Sequence, residues 1–84
     1  MNSTRAAQTP VVVYSRPGWP YCFVLRRGLR RCGVSSTEIN IWQDPAAAAA
    51  VRAVADGNET VPTVRIADQW LVNPRAAQVE QLLR

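Results

Sequence analysis

The sequence predicts one α/β domain in which helices flank a mixed four-stranded sheet. Its 84 residues are enough for a single domain with one core. Short β-branched runs alternate with helix-like stretches in the order β-α-β-α-β-β-α. A helix separates the first two strands, which favours a parallel, right-handed βαβ unit. The last two strands lie close together in the sequence, which favours an antiparallel hairpin.

The first strand and helix are the most clearly marked elements. Residues 11–14 are a continuous run of Val-Val-Val-Tyr, which is typical of a buried strand, and Arg-Pro-Gly at 16–18 ends it. A helix is predicted from residue 20 or 21 to residue 32 because apolar side chains recur there at the spacing of one helix face. This face consists of Leu25, Leu29 and Cys32.

The middle of the chain supplies the second strand and the second helix. Gly33 stands where a left-handed residue commonly ends a helix. A strand is predicted at residues 37–41. Asp44 followed by Pro45 is the signature of an N-cap and first turn, and the alanine-rich stretch after them predicts a helix to about Ala55.

The last third predicts the hairpin and a closing helix. Strands are expected at residues 63–66 and 70–72, with Ala-Asp-Gln at 67–69 as the turn. Asn73-Pro74 again resembles a cap followed by proline, so we expect the last helix to begin there. The apolar stripe of that helix consists of Val79, Leu82 and Leu83.

Composition limits the classes of function. Hydrophobic residues make up 48% of the chain, yet no apolar run approaches the roughly 18–20 residues of a membrane span. We expect residues 1–10 to be a flexible segment and residues 11–84 to form the domain. The beginning of the chain is polar, so we expect no signal peptide and a cytoplasmic location.

Arginine supplies all the positive charge. The formal net charge is +4, and all ten basic residues are arginine. Two interpretations fit the group at Arg26, Arg27, Arg30 and Arg31: a nucleic-acid surface or the solvated face of an amphipathic helix. We favour the solvated face and expect no nucleic-acid partner, because no aromatic residues alternate with these arginines as a stacking platform.

The two cysteines cannot form a disulfide framework or, without histidine, a convincing metal site. We expect Cys32 to be a buried small apolar residue. A disulfide between Cys22 and Cys32 is excluded while the helix is intact. Ten residues rise about 15 Å along a helix, whereas the bridged Cα atoms must lie within about 7 Å.

Cys22 differs from Cys32 because it lies near the start of a helix that follows a buried strand. Unpaired N–H groups and the helix dipole stabilise a thiolate in that position. Dithiol exchange needs two cysteines separated by two residues, of which the first attacks and the second resolves the mixed disulfide. The loop Trp19-Pro20-Tyr21-Cys22 holds only the second of these.

This loop resembles the Cys-Pro-Tyr-Cys active site of glutaredoxins, with Trp19 in place of the attacking cysteine. Residues 14–18 resemble the strand end and basic residue before that site, and Thr60-Val61-Pro62 resembles a Thr-Val-Pro segment whose proline is cis in the family. Residues 57–64 and 72–74 are similar to mycoredoxins, actinobacterial members that serve mycothiol rather than glutathione. The resemblance covers residues 11–84 and implies a thioredoxin/glutaredoxin-like fold.

The resemblance also implies roles for individual residues. Arg16 would hold a carboxylate of a low-molecular-weight thiol, and the backbone of Val61, beside cis Pro62, would pair with the peptide-like part of that thiol. Tyr21 would flank the site, and Asn73 would line the groove. Mycothiol or glutathione would be a co-substrate rather than a bound cofactor, and the partner would be such a thiol or a protein thiol or disulfide. Simpler roles stay open: a solvated Arg16, a turn proline and a packed Tyr21.

Two classes of function follow from the missing cysteine. In the first, the chain is an atypical redox enzyme with at most monothiol exchange through Cys22, completed by free thiol. In the second, it is a redox-inactive binding or regulatory module that keeps the groove, with Trp19 as a lid or partner contact. Iron–sulfur assembly is not expected, because the cysteine that would hold a cluster is the one replaced. We interpret Trp19 as a natural divergence, since a designed loss would more simply use serine or alanine.

Overall fold

The structure is a computed structural model that describes residues 9–84, and its elements follow the predicted order. Most of the segment expected to be flexible, residues 1–10, lies outside the described residues. The strands are β1 (Val11–Ser15), β2 (Thr37–Asn40), β3 (Thr63–Ile66) and β4 (Gln69–Val72). The helices are α1 (Pro20–Arg31), α2 (Pro45–Val54) and α3 (Ala76–Leu83).

The four strands form one mixed sheet in the order β2-β1-β3-β4. β1 pairs in parallel with β2 and antiparallel with β3, and β3 and β4 form the antiparallel hairpin. β1 is therefore an interior strand, and its carboxyl end leads directly to α1. β2 and β4 are the edges of the sheet.

One face of the sheet packs against α1 and α3. The buried residues of this core are Val11, Val13, Leu25, Leu29, Val64, Ile66 and Val79. The two helices approach closely at Gly28: a Cβ atom built there would lie 2.6 Å from the Cβ atom of Ala76. Glycine at this position lets the helices pack tightly over the sheet.

The other face packs against α2, so the predicted covering of both faces is confirmed. The buried residues of this second core are Tyr14, Cys22, Ile41, Ala47, Ala48, Val51 and Val61. The alanine-rich sequence of α2 suits this position because small side chains let a helix lie close to the sheet. The Asp44 side chain caps α2 as predicted, accepting a hydrogen bond of 3.0 Å from the Ala47 amide.

Two details of the sequence-based prediction are wrong. The last helix begins at Ala76, not at Asn73-Pro74, and Arg75 is its N-cap. Asn73 has a left-handed backbone (φ +52°), and its amide donates to the Pro62 carbonyl at 2.8 Å, so it closes the hairpin end instead of starting a helix. Cys32 is exposed rather than buried, because α1 ends at Arg31 and Cys32 is its C-cap.

In the part of the chain that the structure describes, no helix is long and apolar enough to cross a membrane.

Candidate active-site region at the start of helix α1

The loop from β1 to α1 places Trp19 at the tip of the helix. Gly18 takes a left-handed conformation (φ +76°), and the Trp19 amide donates to the Arg16 carbonyl at 3.3 Å, which closes the turn. Trp19 is the N-cap of α1, and Pro20 occupies the first helical position, where the missing N–H breaks no helical bond. The indole accepts no hydrogen bond from the helix. The attacking position of the motif is thus held by a side chain with no nucleophile.

Cys22 lies one turn into the helix and is only 1% exposed. It belongs to the second core together with Tyr14, Ile41 and Val61. This burial raises the pKa of the Cys22 thiol, and a hydrogen bond from the Arg16 backbone opposes the rise only in part. The thiol is therefore protonated at neutral pH and shielded from disulfides in solution.

The Arg16 guanidinium lies over the Trp19 and Trp42 rings, and Tyr21 lies beside Trp19; we call these four residues the Arg16 cluster. The guanidinium carbon lies 4.5 Å from the centroid of the Trp19 ring and 5.8 Å from that of Trp42. The Trp19 and Tyr21 rings are 6.1 Å apart. Cation–π attraction at these distances holds Arg16 against the rings while Trp19 remains 38% exposed.

A polar cavity of about 280 Å³ lies beside the Arg16 cluster, between the β1–α1 loop and β2. Its lining residues are Ser15, Arg16, Pro17, Gly18, Arg26, Glu38 and Asn40. Arg26 and Glu38 form an ion pair at 3.0 Å, and the Asn40 side chain accepts a hydrogen bond from the Trp42 amide. Because Glu38 balances Arg26, the remaining positive charge at the cavity is that of Arg16.

The segment before β3 shares the second core with Cys22 through Val61. The Val61–Pro62 peptide bond is cis, as in the family pattern, and both residues are buried. The backbone N–H of Asn73 donates a hydrogen bond to the Pro62 carbonyl and so links Asn73 to this segment. Among residues 9–84, neither the amide nor the carbonyl of Val61 takes part in a hydrogen bond. These groups are thus unpaired in a residue that is itself only 5% exposed.

The predicted site residues thus fall into two groups, each with one buried member in the second core. Arg16, Trp19 and Tyr21 lie together at the start of α1. Pro62 and Asn73 are joined by a backbone hydrogen bond. Cys22 and Val61 are the members that belong to the same core. Within the described residues, no group of three or more potential ligand side chains is arranged to hold a metal ion.

Sequence reasoning missed Trp42 and Asn40. Both follow or end β2, and the carboxyl ends of the parallel strands β1 and β2 lie at the same edge of the sheet. Residues after one strand therefore lie beside residues after the other. That rule, applied to the predicted βαβ unit, was the signal that could have placed Trp42 beside Arg16.

Comparison with known proteins identifies the family. A family model described as glutaredoxin matches residues 11–71. The chain belongs to the glutaredoxin family. Mycoredoxin 1 of Corynebacterium glutamicum is 41% identical over 70 residues, which cover 82% of this chain and 86% of that protein. A Mycobacterium tuberculosis protein named as a glutaredoxin is 36% identical over 74 residues, covering 87% and 88% of the two chains.

Solved structures confirm the thioredoxin/glutaredoxin-like fold. The glutaredoxin-like NrdH-redoxin of Escherichia coli superposes with a TM-score of 0.74 at 26% identity, covering 87% of this chain and 93% of that one. A glutaredoxin of Archaeoglobus fulgidus has a TM-score of 0.74 at 21% identity, covering 100% and 96% of the two chains. The family assigned from the loop and the Thr-Val-Pro segment is therefore confirmed.

The raised pKa of Cys22 predicts that the domain loses stability in alkaline solution. The folded state holds the thiol proton more tightly than the unfolded state, whose thiol has a pKa of about 8.5. The stability that the protonated Cys22 thiol preserves is fully present below a pH of about 8.5 and is lost as the pH rises towards the pKa of the folded state. Denaturant unfolding from pH 7 to pH 10 should show this fall in the wild-type protein and in Cys32→Ala. In Cys22→Ala the fall should be smaller, and an equal fall there would contradict the assignment to Cys22.

Proposed function

We propose that this glutaredoxin-family domain binds a low-molecular-weight thiol or a thiol-bearing peptide without catalysing dithiol–disulfide exchange. The burial of Cys22, together with Trp19 at the helix tip, carries this proposal. Attack on a disulfide requires an accessible thiolate. The described residues offer no such group at the start of α1, while the elements that would hold a ligand remain.

The ligand groove is proposed to lie between the start of α1 and the cis Val61–Pro62 segment. The unpaired amide and carbonyl of Val61 suit strand-like pairing with a peptide-like group. Arg16 carries the unbalanced charge of the neighbouring cavity and suits a carboxylate. Because the relatives include a mycoredoxin, we propose mycothiol as the preferred thiol; it has no carboxylate, so Arg16 would donate to its sugar hydroxyls. Glutathione, whose carboxylates Arg16 would pair with, is the alternative. We place this function in the cytoplasm, where such thiols are kept reduced.

Monothiol exchange through Cys22 is the second candidate function. One observation favours it: the Arg16 backbone hydrogen bond lowers the pKa of this thiol, against the larger effect of burial. In that reaction the Cys22 thiolate would attack a disulfide, form a mixed disulfide and release one thiol. A second free thiol would then attack the mixed disulfide and regenerate Cys22. The reaction requires a local opening that exposes Cys22.

An NMR titration tests the binding proposal. In a Cys32→Ser protein, reduced mycothiol or reduced glutathione should shift the amide signals of Val61 and Asn73 without changing the protein mass. Arg16→Gln should weaken glutathione binding about tenfold, since a hydrogen bond to a charged group is worth roughly 1.5–3 kcal/mol, and should weaken mycothiol binding less because that thiol has no carboxylate. Arg84→Gln, which removes an arginine at the far end of the chain, should bind normally. If neither thiol shifts these amides, the groove is not a thiol site.

A further inference from the structure

The outer face of α1 combines exposed apolar and positively charged side chains. The inner face of the helix buries Cys22, Leu25 and Leu29. On the opposite side, Phe23 and Val24 are 53% and 64% exposed. Arginines lie next to them at helical spacing. The row from Phe23 continues to Arg27 and Arg30, and the row from Val24 continues to Arg27 and Arg31. We call Phe23, Val24, Arg27, Arg30 and Arg31 the outer α1 surface.

The charge of the outer α1 surface is not balanced within the described domain. α1 contains no acidic residue. Its fourth arginine, Arg26, pairs with Glu38, but among residues 9–84 the other three form no ion pair. Like charges three and four residues apart on a helix repel each other. An anionic partner would remove this repulsion, so the surface is electrostatically complementary to acidic groups.

We propose that the outer α1 surface docks an acidic protein surface. The partner would place an apolar side chain against Phe23 and Val24 and carboxylates against the arginines. Arginine forms paired hydrogen bonds with carboxylates, and an apolar centre with a charged rim is the usual arrangement of a protein interface. This surface is on the side of α1 opposite to Cys22, and the inference does not depend on ligand binding at the groove.

Other occupants fit the same surface less well. A second copy of the domain would bring three further arginines against these three. An interfacial membrane helix buries a long apolar face in the lipid, whereas the outer α1 surface exposes only two apolar side chains, Phe23 and Val24, and the main apolar face of α1 is in the core. A single-stranded nucleic acid needs several rings to stack on, and Phe23 is the one ring on this surface.

Fluorescence anisotropy with a labelled synthetic helix of leucine and glutamate tests the proposal. The wild-type domain should bind this peptide, and salt should weaken the binding. Arg27→Glu/Arg30→Glu should bind about tenfold more weakly, because each removes an attraction and adds a repulsion. Arg52→Glu/Arg84→Glu changes the net charge equally at positions outside this surface and should bind like the wild type. Phe23→Ser should weaken the binding that persists at high salt.

Three results would overturn the proposal. Equal losses in the two double variants would mean that net charge alone attracts the peptide. No binding by the wild type would mean that the surface does not dock acidic helices. Tighter binding to phosphatidylglycerol vesicles or to an oligo(dT) strand than to the peptide would assign the surface to lipid or nucleic acid. Circular dichroism of each variant should confirm that the fold is retained.

Discussion

Trp19→Cys is expected to turn this domain into a dithiol–disulfide reductase. The new thiol would stand at the N-cap of α1, three residues before Cys22 with two residues between them, in the arrangement that dithiol exchange requires. At that position the thiolate would be exposed, like the present indole, and stabilised by the helix N-terminus. The pKa of such thiols falls to roughly 3.5–7.5, against about 8.5 for a free thiol.

The local backbone is already arranged for this reaction. The Cys22 and Phe23 amides donate to the Trp19 carbonyl, and Pro20 has no N–H. Among residues 9–84 the Tyr21 amide has no hydrogen-bond partner and would be free to stabilise a thiolate at the helix tip. The thiolate at residue 19 would attack the substrate disulfide and release one thiol, leaving a mixed disulfide. Cys22 would then attack the sulfur of residue 19, release the second thiol and leave an intramolecular disulfide. In this step burial protects Cys22 from other oxidants without preventing an intramolecular attack.

The measurement is the rate of reduction of a small disulfide, with reduced mycothiol or glutathione supplied. Trp19→Cys should exceed the wild type by about tenfold or more, because most of its thiol is ionised at pH 7. Trp19→Ser, which removes the indole without adding a thiol, should remain at the wild-type rate. All proteins should carry Cys32→Ser, since Cys32 is exposed and reacts by itself. A folded but inactive Trp19→Cys protein would show that the region around the tip does not accept a thiol substrate.

Gly28→Ala is expected to destabilise the domain, although alanine has a higher helix propensity than glycine. Within a helix, alanine stabilises the helical conformation by about 1 kcal/mol relative to glycine. Here, however, the added Cβ atom would meet the Cβ atom of Ala76 at 2.6 Å, so α1 and α3 would have to separate. Overpacking of this kind costs about 1–3 kcal/mol. We therefore expect a lower free energy of unfolding, measured by denaturant titration.

The partner substitution supplies the control for this effect. Ala76→Gly removes the atom that the new Cβ would meet, so Gly28→Ala should be tolerated far better in an Ala76→Gly background than alone. The two substitutions should show a coupling energy of opposite sign to their individual costs. A stabilised Gly28→Ala protein would mean that the helices are less closely packed than described.

Local sequence signals predicted most of the fold because the elements of this chain are marked by their own residues. The β-branched run before Arg16, the Asp44-Pro45 cap and the Gly33 helix end all act within a few residues. The start of the last helix was predicted wrongly for the opposite reason. Asn73 resembles a cap in sequence, but its amide is committed to the Pro62 carbonyl of a preceding segment.

The candidate site was only partly predictable. The motif located Trp19 and Cys22, but the burial of Cys22 depends on side chains from β1, α2 and the segment before β3. The contact of Arg16 with Trp42 likewise arises only when β1 and β2 lie side by side. The exposure of Cys32 depends on the residue at which α1 ends. Contacts between distant segments decide the burial of Cys22 and the position of Trp42, and no local pattern encodes those two features.

The most direct test of the central claim is the accessibility of Cys22 in a Cys32→Ser protein. The folded protein would be incubated at pH 7 with an oxidised low-molecular-weight thiol, and its intact mass would be followed before and after reduced thiol is added. We predict no adduct on the folded protein and a rapid adduct on the same protein in denaturant. A reversible adduct on the folded protein would contradict the account and establish Cys22 as a working monothiol site.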